Sequence, residues 1–404
     1  MSTNQGYLDT DQVMELDQNY VMSTYARRRV VFVRGSGTHL WDAEGREYLD
    51  FLGGIAVCGV GHCHPKVSAA IAAQASTLMH VSNLFYNPLQ PVLAHRLTQL
   101  TGMDRVFFCN SGAEANECAI KIARKWAKQR KGPDCFEIIT FHGSFHGRTL
   151  ATVTATAQPK YQEPFAPLPE GFKYVSVGNL QELDEAINEH TCAVMIEPIQ
   201  GESGIHVVSP EFLQAIRLLC DEAGILLILD EVQSGNGRTG RFLASQHADV
   251  TGDLVTLAKG IANGVPMGAC LARGEAAHVL VPGDHGSTFG GQPLACAAAL
   301  ATLDVLEEEN LLSHARIVGE GFLQQLRELQ QDLPHVVVEV RGLGLMIGVE
   351  LKDGARQVQD ELLQRGIVVN AIGDTILRFL PPLTVTLEEC RVVVRALREI
   401  LQAR

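Results

Sequence analysis

The chain has 404 residues, which is enough for two or three domains. Hydrophobic residues make up 46 % of it and charged residues 20 %, a balance that excludes an intrinsically disordered chain. The formal net charge of −13 at pH 7 argues against binding to nucleic acid or to an anionic membrane surface.

In chain order, the N-terminal part has two short strand-like runs, residues 31–33 and 48–51, with polar turns around them. Apolar runs without polar alternation follow, and helical patterns such as residues 113–129 and 210–222 separate them. These apolar runs are residues 105–109, 137–141, 192–196, 226–229 and 254–257. Strands of this kind, alternating with helices, predict an α/β fold with a mostly parallel central sheet that is covered on both faces.

The C-terminal part again alternates strands and helices. Its strand-like runs are residues 336–340, 345–349 and 376–379, and its helical patterns lie near residues 355–365 and 387–402. We expect residues 61–300 to form a large domain. Residues 1–60 and 301–404 are expected to form a smaller α/β domain together.

The start of the chain lacks the basic, apolar and small-residue pattern of a secretory signal. The purest apolar stretch, residues 225–229, is far shorter than the about 20 residues of a membrane helix. None of the ten cysteines has C-x-x-C spacing, which favours free thiols in a reducing compartment. His62, Cys63 and His64 are too close in sequence to converge on one ion. We therefore expect a cytoplasmic protein with no metal site.

Residues 110–116 (NSGAEAN) follow a predicted strand and begin a predicted helix. Ser111 and Glu114 have the spacing of a capping box, and capping alone is a sufficient explanation. A helix that begins after a glycine turn also presents free backbone N–H groups and the positive end of its dipole to an anion such as phosphate. This motif alone leaves both interpretations open.

Gly235, Gly237 and Gly240 match the G-x-G-x-x-G pattern of dinucleotide-binding proteins. In those proteins the first glycine begins the turn directly after the strand, whereas residues 231–234 intervene here. We therefore interpret the segment as a glycine-rich loop.

Asp230 and Lys259 each follow a predicted strand, and ligands of open parallel sheets gather at the carboxyl ends of the strands. Taken singly, the acid can be a turn cap and the lysine a solvent-facing charge. Together with the helix start at Gly112, they form the set of groups that pyridoxal phosphate requires. That set is a lysine for the aldehyde, an acid for the ring nitrogen and a cradle for the phosphate.

From about Tyr25 to its end, the chain resembles the class III aminotransferases, which are pyridoxal-phosphate-dependent enzymes of fold type I. The motifs that carry the resemblance stand at residues 40–42 (LWD), 53–57 (GGIAV), 61–65 (GHCHP), 110–116 (NSGAEAN), 145–149 (FHGRT), 158–161 (QPKY), 197–202 (EPIQGE), 230–233 (DEVQ), 258–260 (AKG), 286–291 (GSTFGG), 341–344 (RGLG) and 377–379 (LRF). Within the family the chain is most similar to the branch that acts on acylated ornithine.

The resemblance implies a role for each matching residue around the cofactor. Lys259 would bind the aldehyde covalently, Asp230 would pair with the ring nitrogen, and Gln233 would lie near the ring hydroxyl. Phe145 would stack on the ring, although an aromatic residue there is also an ordinary core residue. Thr288 would reach the phosphate in the neighbouring subunit, which implies a homodimer with shared active sites. The other positions implied to bind the cofactor are Ser111, Gly112, Ala113 and Glu231.

The resemblance also implies a substrate site with Ser287 and two arginines, whose planar fork matches a carboxylate. Arg378 would hold the α-carboxylate of glutamate or 2-oxoglutarate. Arg148 would hold the distal carboxylate of glutamate or the carboxylate of an acylated ornithine. An ω-amino donor has no carboxylate beside its reacting amine, so a buried Arg378 would then lack a partner, at a cost of several kcal/mol. In the ornithine branch of the family the second glutamate of the EPIQGE motif is this partner, so the resemblance implies that Glu202 pairs with Arg378 for the ω-amine and moves away for glutamate.

The implied reaction transfers the δ-amino group of N2-acetylornithine or succinylornithine to 2-oxoglutarate, in arginine metabolism. The ornithine enzymes of the family have a tyrosine where this chain has Ile55, and an apolar residue suits an acylated amine. Another ω-aminotransferase, for ornithine, 4-aminobutyrate or a diamine, is the alternative. A mutase or decarboxylase that binds the same cofactor, or a scaffold protein, is a third interpretation.

Overall fold

A computed structural model describes residues 9–404, and it has an α/β architecture. The helices are α1 (Thr10–Tyr20), α2 (Gly53–Ala56), α3 (Pro65–Ala75), α4 (Leu89–Thr101), α5 (Gly112–Lys131), α6 (Leu150–Ala155), α7 (Pro159–Gln162), α8 (Leu180–Ala186), α9 (Pro210–Ala223), α10 (Pro293–Glu308), α11 (Leu311–Asp332), α12 (Ala355–Gln364) and α13 (Leu387–Gln402). The strands are β1 (Phe32–Ser36), β2 (His39–Asp42), β3 (Glu47–Asp50), β4 (Arg105–Cys109), β5 (Glu137–Phe141), β6 (Phe172–Val175), β7 (Thr191–Ile196), β8 (Ile199–Gln200), β9 (His206–Val207), β10 (Leu226–Asp230), β11 (Leu254–Leu257), β12 (Gly268–Ala272), β13 (Val337–Leu343), β14 (Met346–Leu351), β15 (Ile367–Val368), β16 (Asn370–Ile372) and β17 (Ile376–Phe379).

A seven-stranded sheet with the order β4-β12-β11-β10-β7-β5-β6 forms the centre of the molecule. Every pairing from β11 to β6 is parallel, and β12 alone runs antiparallel to both of its neighbours. The predicted α/β fold with a mostly parallel sheet is confirmed.

Both faces of this sheet are buried, as the lack of polar alternation predicts. Side chains of successive strand residues point to opposite faces, and they join two separate apolar clusters. Ile138, Met195 and Ile228 belong to one cluster, whereas their neighbours Ile139 and Leu229 belong to the other. The core therefore lies on both sides of the sheet.

The two ends of the chain share a sheet. Strand β15 from the C-terminal part pairs in parallel with β3, Ile367 opposite Leu49, and extends the order β1-β2-β3-β15. A second four-stranded sheet, β13-β14-β17-β16, carries Arg378 on β17.

The predicted boundary between residues 300 and 301 does not match the structure, because it falls inside the continuous helix α10. This helix contacts α3 and α4, whereas the following helix α11 contacts β13 and α13. The change from one set of contacts to the other therefore occurs between Glu308 and Leu311.

Several strands end at one edge of the large sheet. Asp230 is the last residue of β10, and Lys259 stands two residues after β11, which is parallel to β10. Since β12 is antiparallel to both β11 and β4, β4 also points its carboxyl end to this edge, and α5 begins there at Gly112. Among residues 9–404, no helix is both long and apolar enough to cross a bilayer.

Candidate active site

A cavity of about 420 Å³ opens at this edge of the sheet, within the size range of small-molecule sites. The predicted residues that line it are Ser111, Gly112, Ala113, Phe145, Arg148, Asp230, Gln233 and Lys259. Residues that are distant in sequence thus meet in one place because their strands end side by side.

Asp230 is buried and its carboxylate accepts three hydrogen bonds. Oδ2 accepts from Asn116 Nδ2 at 2.7 Å and from His146 Nδ1 at 2.8 Å, and Oδ1 accepts from the Val232 amide at 3.0 Å. Oδ1 of Asn116 and Nε2 of His146 are buried without a hydrogen-bond partner among residues 9–404. These contacts fix the orientation of the carboxylate, and the sequence did not point to either partner.

Lys259 follows β11 with a φ of 49°, a backbone conformation that is uncommon outside glycine. Burial lowers the pKa of its amine from 10.5, an effect to which the charge of Arg378 adds, while Glu202, Asp230 and Glu197 oppose it. A lowered pKa increases the fraction of neutral, nucleophilic amine. The position therefore suits a lysine that attacks a carbonyl carbon.

The start of α5 lies at another side of the cavity. The Ser111 hydroxyl caps the helix by accepting from the Glu114 amide at 3.1 Å, so the capping interpretation holds. The amides of Gly112 and Ala113 belong to the first helical turn, where no intrahelical acceptor exists. A Cβ at Gly112 would lie 2.6 Å from Val232 Cγ1, so the close approach of this turn to Val232 requires glycine.

Phe145 and Tyr161 form an aromatic wall beside the cavity, with ring centroids 5.9 Å apart in an edge-to-face arrangement. The guanidinium of Arg148 lies 4.1 Å from the Tyr161 centroid and 5.2 Å from that of Phe145. Arg148 is exposed and pairs with no acid among residues 9–404. Its donors are thus available to a carboxylate that enters the cavity.

Arg378 is 1 % exposed, and the side chains around it hold every nitrogen of its guanidinium. Nη1 donates to Glu202 Oε1 at 2.6 Å and to the Gly201 carbonyl at 3.2 Å, while Nε and Nη2 both donate to Asn370 Oδ1. Gln233 joins the cluster by donating to Glu202 at 3.0 Å. Burial alone would raise the pKa of Glu202, but the charges of Arg378 and Lys259 lower it below 4.5. The structure therefore contains the Glu202–Arg378 ion pair that the resemblance implies.

Glu197 is a buried residue of the cavity wall that the sequence analysis did not assign to the site. It directly follows β7 and lies next to Asp230, because Ile196 is paired with Leu229. Its carboxyl group accepts from the Phe145 amide at 2.9 Å and from the Gly201 amide at 3.3 Å. An acid directly after a buried parallel strand, as at Asp230, was the signal in the sequence.

Glu231 departs from the expectation that it contacts the cofactor. Its carboxylate points away from the cavity and accepts hydrogen bonds from the Ala244 and Ser245 amides and from the Ser234 hydroxyl. Because side chains alternate in extended chain, Asp230 and Glu231 point in opposite directions. Glu231 therefore stabilises the loop after β10.

Ser287 and Thr288 lie beside the cavity rather than in its wall. Ser287 Oγ accepts from Asn110 Nδ2 at 3.1 Å, and Asn110 does line the cavity. Thr288 is exposed. A role for Thr288 in a neighbouring subunit remains a prediction.

The histidines at 62 and 64 have separate partners. His62 bonds to Asp50 at 2.6 Å and His64 to Glu309 at 2.9 Å. Within the part of the chain that the structure describes, no three His, Cys, Asp or Glu side chains are placed to hold a metal ion.

The cavity fits pyridoxal phosphate by the chemistry of its groups. The free amides of the α5 N-terminus suit the phosphate, the buried Asp230 suits a protonated ring nitrogen, and the Lys259 amine suits the aldehyde. The unpartnered polar atoms of Asn116 and His146 show that this wall is built for polar contacts.

Comparison with known proteins gives a consistent result. Residues 21–401 match the family Aminotransferase class-III. An acetylornithine aminotransferase of Methanocaldococcus jannaschii is 50 % identical over 389 residues, which cover 96 % of this chain and 97 % of that protein. An ornithine aminotransferase structure from Toxoplasma gondii superposes with a TM-score of 0.95 at 36 % identity, covering 98 % and 96 % of the two chains. An acetylornithine aminotransferase structure from Elizabethkingia anophelis gives 0.88 at 33 % identity, covering 98 % and 100 %.

Proposed function

This chain belongs to the class III aminotransferases, which depend on pyridoxal phosphate, and we propose that it transfers the δ-amino group of an N2-acylated ornithine to 2-oxoglutarate. The products are the acylated glutamate semialdehyde and glutamate. The observation that carries this proposal is a cavity lined by Lys259, Asp230 and Arg148, with a second, buried arginine, Arg378, near enough for its charge to act on the Lys259 amine. Relatives named acetylornithine aminotransferase that are about half identical over nearly the whole chain support the substrate.

When it is bound, pyridoxal phosphate supplies an electron-withdrawing ring that stabilises negative charge on the substrate carbon next to the amine. Asp230 would keep a proton on the ring nitrogen, and His146 and Asn116 hold Asp230 in place. Lys259 would hold the aldehyde through Nζ, and the same amine would move the proton at the substrate carbon that bears the amino group. The amides of Gly112 and Ala113 would hold the phosphate, and Phe145 would pack against the ring.

The two arginines explain how one site accepts two unlike amino groups. Arg148, which has no acidic partner in the described part of the chain, binds the carboxylate that is far from the reacting amine in both substrates. With the ω-amine donor, Glu202 neutralises Arg378 in the arrangement seen here. With glutamate, Glu202 moves away and the α-carboxylate takes its place on Arg378. A dry, buried guanidinium thus keeps a partner in both half-reactions.

The acyl group of the donor is chosen near Ile55, which is partly exposed in the left-handed turn Gly53–Ala56. An apolar residue here favours acetylornithine or succinylornithine over free ornithine. The alternative is another ω-aminotransferase, for ornithine, 4-aminobutyrate or a diamine, and the likeness to the Toxoplasma gondii structure fits it only coarsely.

A single-turnover comparison tests the choice of donor. Acetylornithine, succinylornithine, ornithine and 4-aminobutyrate are mixed one at a time with the holoenzyme, and loss of the visible absorbance of the cofactor is followed. We expect the two acylated donors to react fastest. Faster reaction with ornithine or 4-aminobutyrate would replace the proposal with the alternative, and amine turnover without consumption of 2-oxoglutarate would indicate a mutase.

We also propose a homodimer with shared active sites. Large apolar side chains of one segment, Leu84, Phe85 and Tyr86, are strongly exposed, and exposed apolar patches of this kind mark protein interfaces. Asn83 of the same segment donates to the carbonyls of Ser287 and Gly290, so the patch is continuous with Thr288. In Tyr86→Glu we expect a smaller particle in analytical ultracentrifugation together with weaker cofactor binding. A dimer that persists in this variant with full cofactor affinity contradicts the shared site.

The cellular location is a further proposal. All ten cysteines of the chain are free thiols, which supports a reducing compartment, and we propose the cytoplasm.

A further inference from the structure

Glu197 connects the Phe145 backbone, at the side of the cavity proposed for the cofactor, to the segment that contains Gly201 and Glu202. Its carboxyl group accepts from the amide of Phe145, whose ring covers the cofactor side, at 2.9 Å. It also accepts from the amide of Gly201 at 3.3 Å. Gly201 in turn gives its carbonyl to Arg378 and precedes Glu202. One carboxyl group thus joins the cofactor wall to the segment that carries the Glu202–Arg378 pair.

The surroundings of Glu197 make it a stable anchor. The residue is 5 % exposed, and burial together with the neighbouring Asp230 raises the pKa of its carboxyl group well above 4.5. The close packing of Gly201 against Gln233, where a Cβ would lie 2.3 Å from Oε1, leaves the segment little alternative position.

We propose that Glu197 is a positioning residue that ties the Gly201–Glu202 segment to the Phe145 backbone, so that Glu202 stays paired with Arg378 while the ω-amine donor is bound. The inference rests on the proposed exchange of Glu202 for a substrate carboxylate. Without the anchor, the segment loses a buried backbone hydrogen bond and the ion pair is populated less. Arg378 is then more open to the α-carboxylate of glutamate and less well neutralised for the donor.

The test variant is Glu197→Gln. It keeps the shape of the side chain, but one of the two oxygens that accept from the backbone amides is replaced by an NH₂ group, which cannot accept. The matched control is Glu231→Gln, since Glu231 is also a buried carboxylate that accepts from two backbone amides, yet it points away from the cavity. Two quantities are measured on each holoenzyme. One is the ratio of single-turnover rates with acetylornithine and with glutamate. The other is the affinity for glutarate, a dicarboxylate without an amino group, by titration calorimetry.

In Glu197→Gln we expect the acetylornithine-to-glutamate ratio to fall about tenfold, as the loss of one buried hydrogen bond predicts. Glutarate is expected to bind more tightly, because Arg378 is less occupied. Glu231→Gln should lower the melting temperature to a similar extent and leave both quantities unchanged. Unchanged values in Glu197→Gln, or equal changes in both variants, would overturn the inference.

Glu202→Gln separates the inference from the proposed function. If the ratio shifts in Glu202→Gln but not in Glu197→Gln, the positioning role of Glu197 is refuted, and the proposed exchange of Glu202 for a substrate carboxylate stands. If the ratio is unchanged in Glu202→Gln, the proposed exchange of Glu202 is refuted, and so is the positioning role of Glu197 that depends on it.

Discussion

Replacement of Arg378 by lysine separates the two half-reactions. In the structure the guanidinium is held by Nε and Nη2 on Asn370 Oδ1, and its Nη1 faces Glu202. A lysine keeps the charge but has neither the planar fork nor a way to bond Asn370 twice. A lysine therefore offers the α-carboxylate of glutamate one hydrogen bond fewer than the planar fork does, while its ammonium group still pairs with Glu202 when the ω-amine is bound.

The expected loss follows from the hydrogen bonds. One hydrogen bond to a charged group is worth about 1.5–3 kcal/mol, which corresponds to a fall of about 10- to 150-fold in kcat/KM for glutamate. The loss with acetylornithine should be smaller, because its reacting end makes no contact with Arg378. Rapid-mixing measurements of each half-reaction on the holoenzyme give both numbers.

Arg148→Lys is the matched control for this prediction. Arg148 is exposed over Tyr161 and is proposed to bind the carboxylate common to both substrates, so its replacement should slow both half-reactions by a similar factor. If Arg378→Lys also slows both equally, Arg378 does not recognise the α-carboxylate selectively and the two-arginine model is refuted.

Three further changes test other parts of the site. Burial lowers the pKa of Lys259 from 10.5, and only the neutral amine attacks an aldehyde. Capture of pyridoxal phosphate by the apoprotein, followed by stopped-flow absorbance, should therefore slow as the pH falls, with a midpoint below 10.5. A midpoint at or above 10.5 contradicts the lowered pKa. In Asp230→Asn the cofactor should still be captured, but we expect the glutamate half-reaction to slow about 10²- to 10³-fold; an unchanged rate would exclude Asp230 as the partner of the ring nitrogen. Burial opposes the charge of His62, but hydrogen bonds to Asp50 and Cys58 raise its pKa from 6.5 to about 10. The contribution of the charged His62 to the stability of the fold is therefore complete below pH 6.5 and is lost as the pH rises through about 10. The melting temperatures of wild type and His62→Gln should converge between these pH values, and a constant difference argues against the charged pair.

Long apolar runs made the large sheet predictable. The runs at 105–109, 137–141 and 254–257 are β4, β5 and β11 with the same bounds, because strands buried on both faces have no polar alternation. Strand β12 (GACLA) went unpredicted, since small residues and a glycine give a weak strand signal. That glycine, Gly268, is required by its neighbour: a Cβ there would lie 2.2 Å from the Ser111 carbonyl oxygen. Long-range packing of this kind has no local signature.

The candidate site was predictable where the chemistry of the cofactor or of a buried charge requires a particular type of residue. Lys259 and Asp230 follow strands. A charge argument showed that a buried Arg378 needs a partner, and the resemblance to the family pointed to Glu202 as that partner. His146 could not be found in this way, because its contact with Asp230 depends on how β5 and β10 are placed across the sheet. The resemblance assigned Glu231 to the cofactor, but its carboxylate accepts from the Ala244 and Ser245 amides instead, because neighbouring residues of an extended chain point in opposite directions.

The shared construction of the two chain ends has a consequence for substrate length. Arg148 follows strand β5 of the large sheet, whereas Arg378 stands on β17 of the C-terminal sheet. The distance between the two arginines that we propose to bind carboxylates therefore depends on how the two sheets pack together, through contacts such as those of Ala56, Ile199 and Leu380. Mutations at these contacts, remote from the cofactor, should alter that distance. They should therefore change which chain length of dicarboxylate or diamine derivative fits.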